Sequence, residues 1–325
     1  MKYLELEQEF ANYIGTRGCV TVNTGTAALH VALEALKLPP NSKVLVPDFT
    51  MYATGLAVYY ARLQPVFVDC DTNLLIDLDK VEELIDEDTK VLMVTHIYGR
   101  IVDMDRVMEI ANKYNLRVIE DACEAHGAEW NGKRVGSFDI GCFSFYMNKI
   151  IHAEEGGAVT SNDIEFLQTV QDMKSMSFGD QHNFFHTQIG FNYRMTNTQA
   201  ELILESLWNV EDNIKKRYDI TIKFNELFSG LFQMPDNRAV SWVYDLKHPN
   251  MDAIVATLNA PSVGIVARHS FKPLSGMPIF GSKCVSPRAD WHSRQTFYLA
   301  IDTSWTEDNI IDIFRITQEI MDNEL

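Results

Sequence analysis

Two stretches of the sequence decide the fold: Val118-Ile119-Glu120-Asp121 and Gly141-Cys142-Phe143-Ser144-Phe145-Tyr146-Met147-Asn148-Lys149. The first is an apolar strand that ends in two carboxylates, and the second is an apolar strand followed by a lysine. In open α/β sheets, ligands sit beyond the carboxyl ends of the strands. The two stretches therefore predict an acid and an amine at the same edge of one sheet.

Outward from these stretches, short β-branched runs alternate with helical patterns. The predicted strands are residues 43–46, 65–69, 90–95, 116–120, 142–146 and 157–160. The predicted helices between them are residues 26–36, 54–61, 78–85 and 104–114. Strands and helices that alternate at this spacing indicate βαβ units and a mostly parallel, buried sheet. We therefore predict an α/β fold.

The pattern changes after Thr196. Apolar residues keep a helical period through a charged stretch over residues 203–231, which predicts one or two helices. The segments that follow indicate a small α+β domain; they are residues 241–246, 250–258, 264–269, 296–301 and 307–320. We predict a large domain over residues 1–215 and a small C-terminal domain over residues 216–325.

Composition excludes several classes of protein. The 325 residues are 46% hydrophobic, which is enough for a large core, and the net charge of −17 argues against a nucleic-acid partner. The five cysteines, an odd number, lack zinc-site spacing, so a reducing compartment is expected. The N-terminal residues do not read as a signal peptide, and we find no stretch apolar enough to span a membrane. We therefore expect a cytoplasmic protein without a membrane partner.

Three segments carry candidate chemistry, and each has an ordinary alternative. Asn23-Thr24-Gly25-Thr26-Ala27-Ala28-Leu29 opens a helix whose first amides can bind phosphate, or it is simply a capped helix. Asp121 can hold a protonated ring nitrogen, or it is a cap or a solvated acid. Lys149 can form a Schiff base, or it is a surface lysine. None of the three signals decides the function alone.

Their order, with the lysine 28 positions after the aspartate (149 − 121), resembles that of fold type I aminotransferases. Nearly the whole chain is similar to the DegT/DnrJ/StrS family of nucleotide-sugar aminotransferases. The residues that carry the resemblance are Thr24-Gly25-Thr26-Ala27-Ala28-Leu29, Pro65-Val66-Phe67-Val68-Asp69, Glu120-Asp121-Ala122, Ala125-His126-Gly127-Ala128, Gly141-Cys142-Phe143-Ser144-Phe145-Tyr146, Lys149, Gly190-Phe191-Asn192-Tyr193-Arg194-Met195 and Gln199-Ala200.

The resemblance implies a fold type I transferase that depends on pyridoxal 5′-phosphate (PLP), with a large, mostly parallel mixed-sheet domain. Lys149 would hold the cofactor covalently and move a proton between substrate and cofactor. Asp121 would pair with the pyridinium nitrogen. Asn192 would reach the cofactor phosphate of the neighbouring subunit, which implies a homodimer with shared active sites.

Further cofactor contacts follow from the same resemblance. The turn at Gly25, with the amides of Thr26 and Ala27 and the hydroxyl of Ser144, would hold the phosphate. Two positions depart from the usual family pattern; they are Met51, which would cover the cofactor ring in place of an aromatic residue, and Glu124, which stands where many members have glutamine. Glu124 would face the PLP hydroxyl, so a proton shared between the two groups is expected.

Family members usually take the amino group from L-glutamate and give it to a 3- or 4-keto sugar nucleotide. The spelling Asn148-Lys149-Ile150, followed by Glu155-Gly156-Gly157, is similar to the GDP-perosamine synthase branch. This favours GDP-4-keto-6-deoxymannose as acceptor and a product for lipopolysaccharide O-antigen biosynthesis. UDP- or dTDP-4-keto-6-deoxyglucose, aminated at C4 or C3, is the alternative. Candidate substrate residues are Asn148, His186, Arg268 and Lys272, each of which could instead be a solvated surface group.

Two other functions remain open from the residues alone. A PLP-dependent sugar dehydratase would share the fold, but similar chains with that activity carry histidine at the position of Lys149. A PLP-binding regulator without catalysis is the second alternative. The complete set of Asp121, Lys149 and Asn192 argues against it, because an idle site has no physical need for all three.

Overall fold

The computed structural model describes residues 1–178, 184–228, 240–281 and 286–323. Its strands are β1 Gly18–Val22, β2 Lys43–Pro47, β3 Gln64–Val68, β4 Thr89–Thr95, β5 Arg117–Asp121, β6 Glu129–Trp130, β7 Lys133–Arg134, β8 Ile140–Ser144, β9 Gly157–Ser161, β10 Val243–Lys247, β11 Ala267–His269 and β12 Thr296–Ala300. Its α-helices are α1 Lys2–Ile14, α2 Gly25–Ala35, α3 Tyr52–Tyr60, α4 Leu78–Val81, α5 Met104–Tyr114, α6 Ile164–Lys174, α7 Asn197–Trp208, α8 Val210–Leu227, α9 Met251–Leu258, α10 Pro287–Ser293 and α11 Glu307–Asn323.

A seven-stranded sheet organises the larger part of the molecule, in the order β1-β9-β8-β5-β4-β2-β3. Strands β3, β2, β4, β5 and β8 pair in parallel, whereas β9 runs antiparallel to both β8 and β1. The expected mostly parallel mixed sheet is thus confirmed. Strands β2, β4, β5 and β8 end at Pro47, Thr95, Asp121 and Ser144 along one edge, which is where the candidate residues lie.

Both faces of this sheet are covered, which explains why most residues of its strands are apolar. Alternate residues of one strand enter different cores because side chains alternate across a strand. Val91 and Met93 pack into a core with α2, α3 and α6, while Leu92 and Val94 pack with α5 on the opposite face. Helices α1 and α7 cover the end of the sheet near β8 and β9.

The smaller part is built on a three-stranded antiparallel sheet in the order β10-β12-β11. It packs with α9, α11 and the second half of α8 around a separate core. Helix α8 runs across the boundary predicted between residues 215 and 216. The chain also returns to the larger part after β11, since the Ser275 hydroxyl and the Ala289 amide donate to Asp48 and Asp69.

Several elements differ from the sequence prediction. Helices α1 and α6, strand β1 and the β6–β7 hairpin had no predicted counterpart. The strand expected at residues 142–146 begins and ends two residues earlier, as β8. The helix expected at residues 78–85 is α-helical only to Val81 and continues as a 3₁₀ turn over Glu82–Leu84.

The cysteines that the structure describes are free thiols: Cys19, Cys70, Cys123 and Cys142. Cys284 and the end of the predicted 203–231 helical stretch lie outside the described residues. Among the described helices, none has the length and apolar character that crossing a membrane requires.

Candidate active site

The acid of the site is Asp121, the last residue of β5. Its carboxylate is buried, with Oδ2 accepting a 2.8 Å hydrogen bond from the Thr54 hydroxyl and Oδ1 a 3.3 Å bond from the Cys123 amide. The Thr54 hydroxyl lies 3.0 Å from that of Thr50, so α3 and the turn before it position the acid. A buried carboxylate held in this way can pair with a cation presented from the cavity side.

The amine of the site is Lys149, which follows β8 and is only 9% exposed. Its Nζ lies 3.9 Å from Glu124 Oε1 and 3.7 Å from the centroid of the Trp242 ring. A carboxylate and an aromatic face both attract a cation, so they give the amine a defined location. Lys149 and Asp121 both act electrostatically on Glu124, which places the three groups in one neighbourhood.

Glu124 is a buried carboxyl beside this amine. Its Oε2 accepts a 2.9 Å hydrogen bond from the Tyr98 amide. Burial raises the pKa of Glu124 from 4.5 to about 7, although the charge of Lys149 and the Tyr98 amide pull it down. Tyr98 has a φ of 55°, an unusual backbone conformation for a bulky residue. The strained turn thus aims its amide at the carboxyl.

The predicted phosphate turn lies next to the end of β8. Thr24 is the N-cap of α2, and a Cβ on Gly25 would lie 2.6 Å from the Cβ of Ser144. A Cβ on Gly157 would lie 2.3 Å from the Thr24 carbonyl oxygen. Glycine at these positions lets the helix N-terminus, β9 and the serine hydroxyl approach closely, as an anion cradle requires.

One predicted phosphate donor differs in the structure. The Ala27 amide donates a 3.0 Å hydrogen bond to the Thr24 hydroxyl oxygen, which is the usual cap of a helix N-terminus. In this conformation the Ala27 amide already has a hydrogen-bond acceptor. The assignment of the phosphate contacts to Gly25, Thr26, Ala27 and Ser144 stays a prediction, and for Ala27 it requires that the amide exchange this cap bond for the phosphate.

Comparison with known proteins shows the family of the chain. The profile of the DegT/DnrJ/EryC1/StrS aminotransferase family matches residues 1–318. The chain belongs to this family. It is 36% identical over 289 residues to the GDP-perosamine synthase of Caulobacter vibrioides, covering 85% of this chain and 77% of that protein.

Two further relatives show the breadth of the likeness. The dTDP-3-amino-3,6-dideoxy-alpha-D-galactopyranose transaminase of Aneurinibacillus thermoaerophilus is 36% identical over 245 residues, covering 73% of this chain and 67% of that protein. The crystal structure of S. venezuelae DesV superposes with a TM-score of 0.91 at 27% identity, covering 98% of this chain and 89% of that one.

The protein is a PLP-dependent aminotransferase. The residues present fit this cofactor. The glycines of the turn keep side chains out of the cradle that a phosphate needs, and a lysine amine and an oriented aspartate are buried at the same sheet edge. When bound, PLP supplies an electron sink for the electron pair left by a departing proton.

An aromatic wall closes the aminotransferase site on the side of the smaller part. Tyr98 stacks on Phe271, with ring centroids 5.7 Å apart, and lies 5.5 Å from Tyr298 and 6.1 Å from Trp242. The wall lies beside Glu124. Burial raises the pKa of Tyr298 to about 12, and the charge of Glu124 adds to this increase. Glu124 and Lys149 beside this wall are 4% and 9% exposed, so water has little access to the carboxyl and the amine.

The remaining predicted cofactor residues lie at the surface. Met51 is 49% exposed, and its Sδ accepts a hydrogen bond from the Ala53 amide at the start of α3. Asn192 is exposed, and its backbone forms a bridge with Ser175. The roles of these two side chains in cofactor binding, that of Asn192 in the neighbouring subunit, stay predictions.

The predicted substrate residues are also dispersed. Asn148 is exposed, with its carbonyl oxygen accepting from the Trp242 indole. The Lys272 amine donates to the Ser293 carbonyl oxygen at 3.1 Å. Arg268 and His186 are exposed, and the His186 ring packs on that of Phe178. Their roles in substrate binding stay predictions.

Sequence reasoning missed three residues that shape the site: Thr54, Tyr98 and Trp242. Thr54 lies two residues inside α3, so a helical position facing the sheet was the available signal. The sequence gives no comparable signal for Tyr98 or Trp242, because a strained turn and a contact 93 residues from the lysine (242 − 149) appear only after folding.

Proposed function

We propose that this aminotransferase moves the amino group of L-glutamate to C4 of a 4-keto-6-deoxy sugar nucleotide. The acceptor that we favour is GDP-4-keto-6-deoxymannose, and the product is GDP-perosamine. The main observation that supports amino transfer is the position of the buried Lys149 amine. It lies between the Glu124 carboxylate and the Trp242 indole, and the oriented Asp121 ends the adjacent strand.

The choice of sugar nucleotide is supported by the relatives. The GDP-perosamine synthase at 36% identity covers more of the chain than the dTDP-sugar transaminase at the same identity. The sequence Asn148-Lys149-Ile150 and the glutamate at position 124 also favour a GDP-linked acceptor, because both resemble the GDP-perosamine synthase branch. The dTDP- and UDP-4-keto-6-deoxyglucose acceptors are the alternatives, and amination at C3 is included among them.

Each residue has a distinct task in this proposal. Lys149 holds the cofactor and carries a proton to and from the substrate carbon. Asp121, oriented by Thr54, keeps the ring nitrogen protonated. Glu124 faces the cofactor hydroxyl. The amides at the start of α2 and the Ser144 hydroxyl hold the phosphate.

Product analysis tests the proposal. The purified enzyme, with PLP and L-glutamate, is offered GDP-, UDP- and dTDP-linked 4-keto-6-deoxy sugars, and products are identified by mass spectrometry. An amino sugar from the GDP substrate alone supports the assignment, and one from only a UDP or dTDP substrate overturns the choice of nucleotide. Lys149→Ala is expected to lose on the order of 10³-fold or more in turnover, while the surface control Lys215→Ala retains it. Normal turnover by Lys149→Ala would overturn the mechanism.

We also propose a homodimer in which Asn192 serves the partner's site. Mixing Lys149→Ala and Asn192→Ala subunits tests this, because a heterodimer would contain one site that lacks both residues and one intact site. Random pairing is expected to restore about a quarter of wild-type activity. If Asn192 acted within its own chain, the mixture would regain no activity.

We also propose a cytoplasmic location, which is supported by the free thiols of the described cysteines.

A further inference from the structure

The peptide groups on both sides of Lys149 are held by side chains from distant segments. The Trp242 indole donates a 2.8 Å hydrogen bond to the Asn148 carbonyl oxygen. The Asn213 amide donates a 2.7 Å bond to the Ile150 carbonyl oxygen. The loop that carries the lysine is thus fixed immediately before and immediately after it.

Arg217 joins the two holding residues. Its Nε donates to Asn213 Oδ1 at 3.0 Å, and its Nη1 donates to the Trp242 carbonyl oxygen at 2.8 Å. Arg217 is only 7% exposed, and burial lowers its pKa to about 10, so the guanidinium stays cationic at neutral pH. Burying a charge is costly unless it is hydrogen-bonded, so these bonds hold Asn213 and Trp242 in a defined arrangement.

Trp242 also contacts the amine itself. It is 4% exposed, and its ring lies 3.7 Å from Lys149 Nζ. One side chain therefore fixes both the peptide group before the lysine and the tip of the lysine side chain. Arg217 lies on α8, whose later residues Ile220 and Phe224 belong to the core of the smaller part. The arrangement links that core to the lysine.

We propose that Asn213, Arg217 and Trp242 are positioning residues that hold the Lys149 amine ready to capture the cofactor. The inference rests on the proposed role of Lys149 as the attachment point. These three residues lie outside the sequence segment around the lysine, so that segment alone would not position the amine. Without the two hydrogen bonds, the loop at residues 148–150 samples other conformations, and the amine reaches the cofactor less often.

The test compares Trp242→Phe with Trp305→Phe. Trp242→Phe keeps an aromatic ring near the amine but removes the N–H donor together with the five-membered ring of the indole. Trp305→Phe loses the same atoms at a position that packs on Phe224 of α8, away from the lysine loop, and so controls for the lost volume. The apoprotein is mixed with PLP, and capture is followed by visible absorbance. Trp242→Phe is expected to slow capture about fivefold, the factor that one hydrogen bond of ordinary net strength supplies, and to weaken the visible circular dichroism of the bound cofactor. Trp305→Phe is expected to match the wild type in both.

Asn213→Ala provides a second variant that does not alter the ring, and the same slowing is expected of it. Borohydride reduction followed by peptide mass mapping identifies the lysine that carries PLP. If both variants capture PLP on Lys149 at the wild-type rate with unchanged dichroism, the inference is wrong and the proposed function stands. Equal slowing in Trp305→Phe would also overturn it, since the effect would then be general. Attachment at another lysine would overturn the proposed role of Lys149 itself.

Discussion

Replacing Glu124 by glutamine should remove a pH dependence of stability that the wild-type protein has. The carboxyl is buried between Lys149 and the Tyr98 amide. Glutamine has nearly the same shape and can still accept the Tyr98 hydrogen bond through its carbonyl oxygen. The variant therefore removes the titration while keeping the packing, which makes the comparison specific.

The magnitude follows from the pKa of Glu124, raised by burial from 4.5 to about 7. The folded state binds this proton more tightly than the unfolded state. Its stabilising effect is therefore complete below pH 4.5 and is lost as the pH rises to about 7. At about 1.4 kcal/mol per pH unit, the full loss is about 3 kcal/mol, most of which falls between pH 5 and pH 8.

Urea unfolding of the apoproteins at pH 5, 6, 7 and 8 measures this effect. The free energy of unfolding of the wild type, minus that of Glu124→Gln, is expected to fall by about 2–3 kcal/mol across the series. The exposed Glu205→Gln on α7 serves as control and should parallel the wild type. A constant difference between wild type and Glu124→Gln at all four pH values would refute the reasoning.

Three further changes test the site and its supports. Gly157→Ala would place a methyl group 2.3 Å from a carbonyl oxygen at the α2 cap; it should weaken PLP affinity, measured by absorbance titration, by tenfold or more, since overpacking costs about 1–3 kcal/mol. Thr54→Val removes the donor to Asp121 and should cost about 1.5–3 kcal/mol in the transition-state free energy from kcat/KM, with Thr54→Ser restoring most of it. Asp245→Leu leaves Arg100 without the carboxylate whose two oxygens both accept from its Nη2, and it should lower the free energy of urea unfolding by about 3–5 kcal/mol, much of which the double change Arg100→Met/Asp245→Leu should recover.

The sequence was informative where structure is local. Helix α5 has the bounds predicted from its apolar period, because its N-cap Asp103 and its left-handed C-cap Asn115 end it by local chemistry. Strands β5 and β8 were predicted within two residues, and they pair directly, which brings Asp121 and the Lys149 loop to one edge. An acid and an amine that follow adjacent parallel strands are therefore neighbours by topology.

The sequence was uninformative where contacts are distant. Strand β1 pairs with β9 and aligns Gly18 with Ser161, 143 positions apart (161 − 18), and a pairing over this distance cannot be recognised from the local pattern. Helix α1 did have a signal that was overlooked. Its buried residues Leu6, Phe10 and Ile14 recur at a helical spacing. The position of Trp242 beside the lysine depends on α8 and β10 docking against the larger part.

The pairing of Lys149 with Glu124 has a consequence for catalysis that neither residue has alone. The charge of Lys149 lowers the pKa of Glu124, so any step that removes that charge raises the proton affinity of the carboxyl. Because this pKa lies near 7, the change falls in the range where the carboxyl can take up or release a proton at neutral pH. Glutamine at this position cannot do so. Under the proposed role of Lys149, this glutamate would take up a proton when the lysine loses its charge and release it when the charge returns, which would keep the net charge of the buried pair nearly constant.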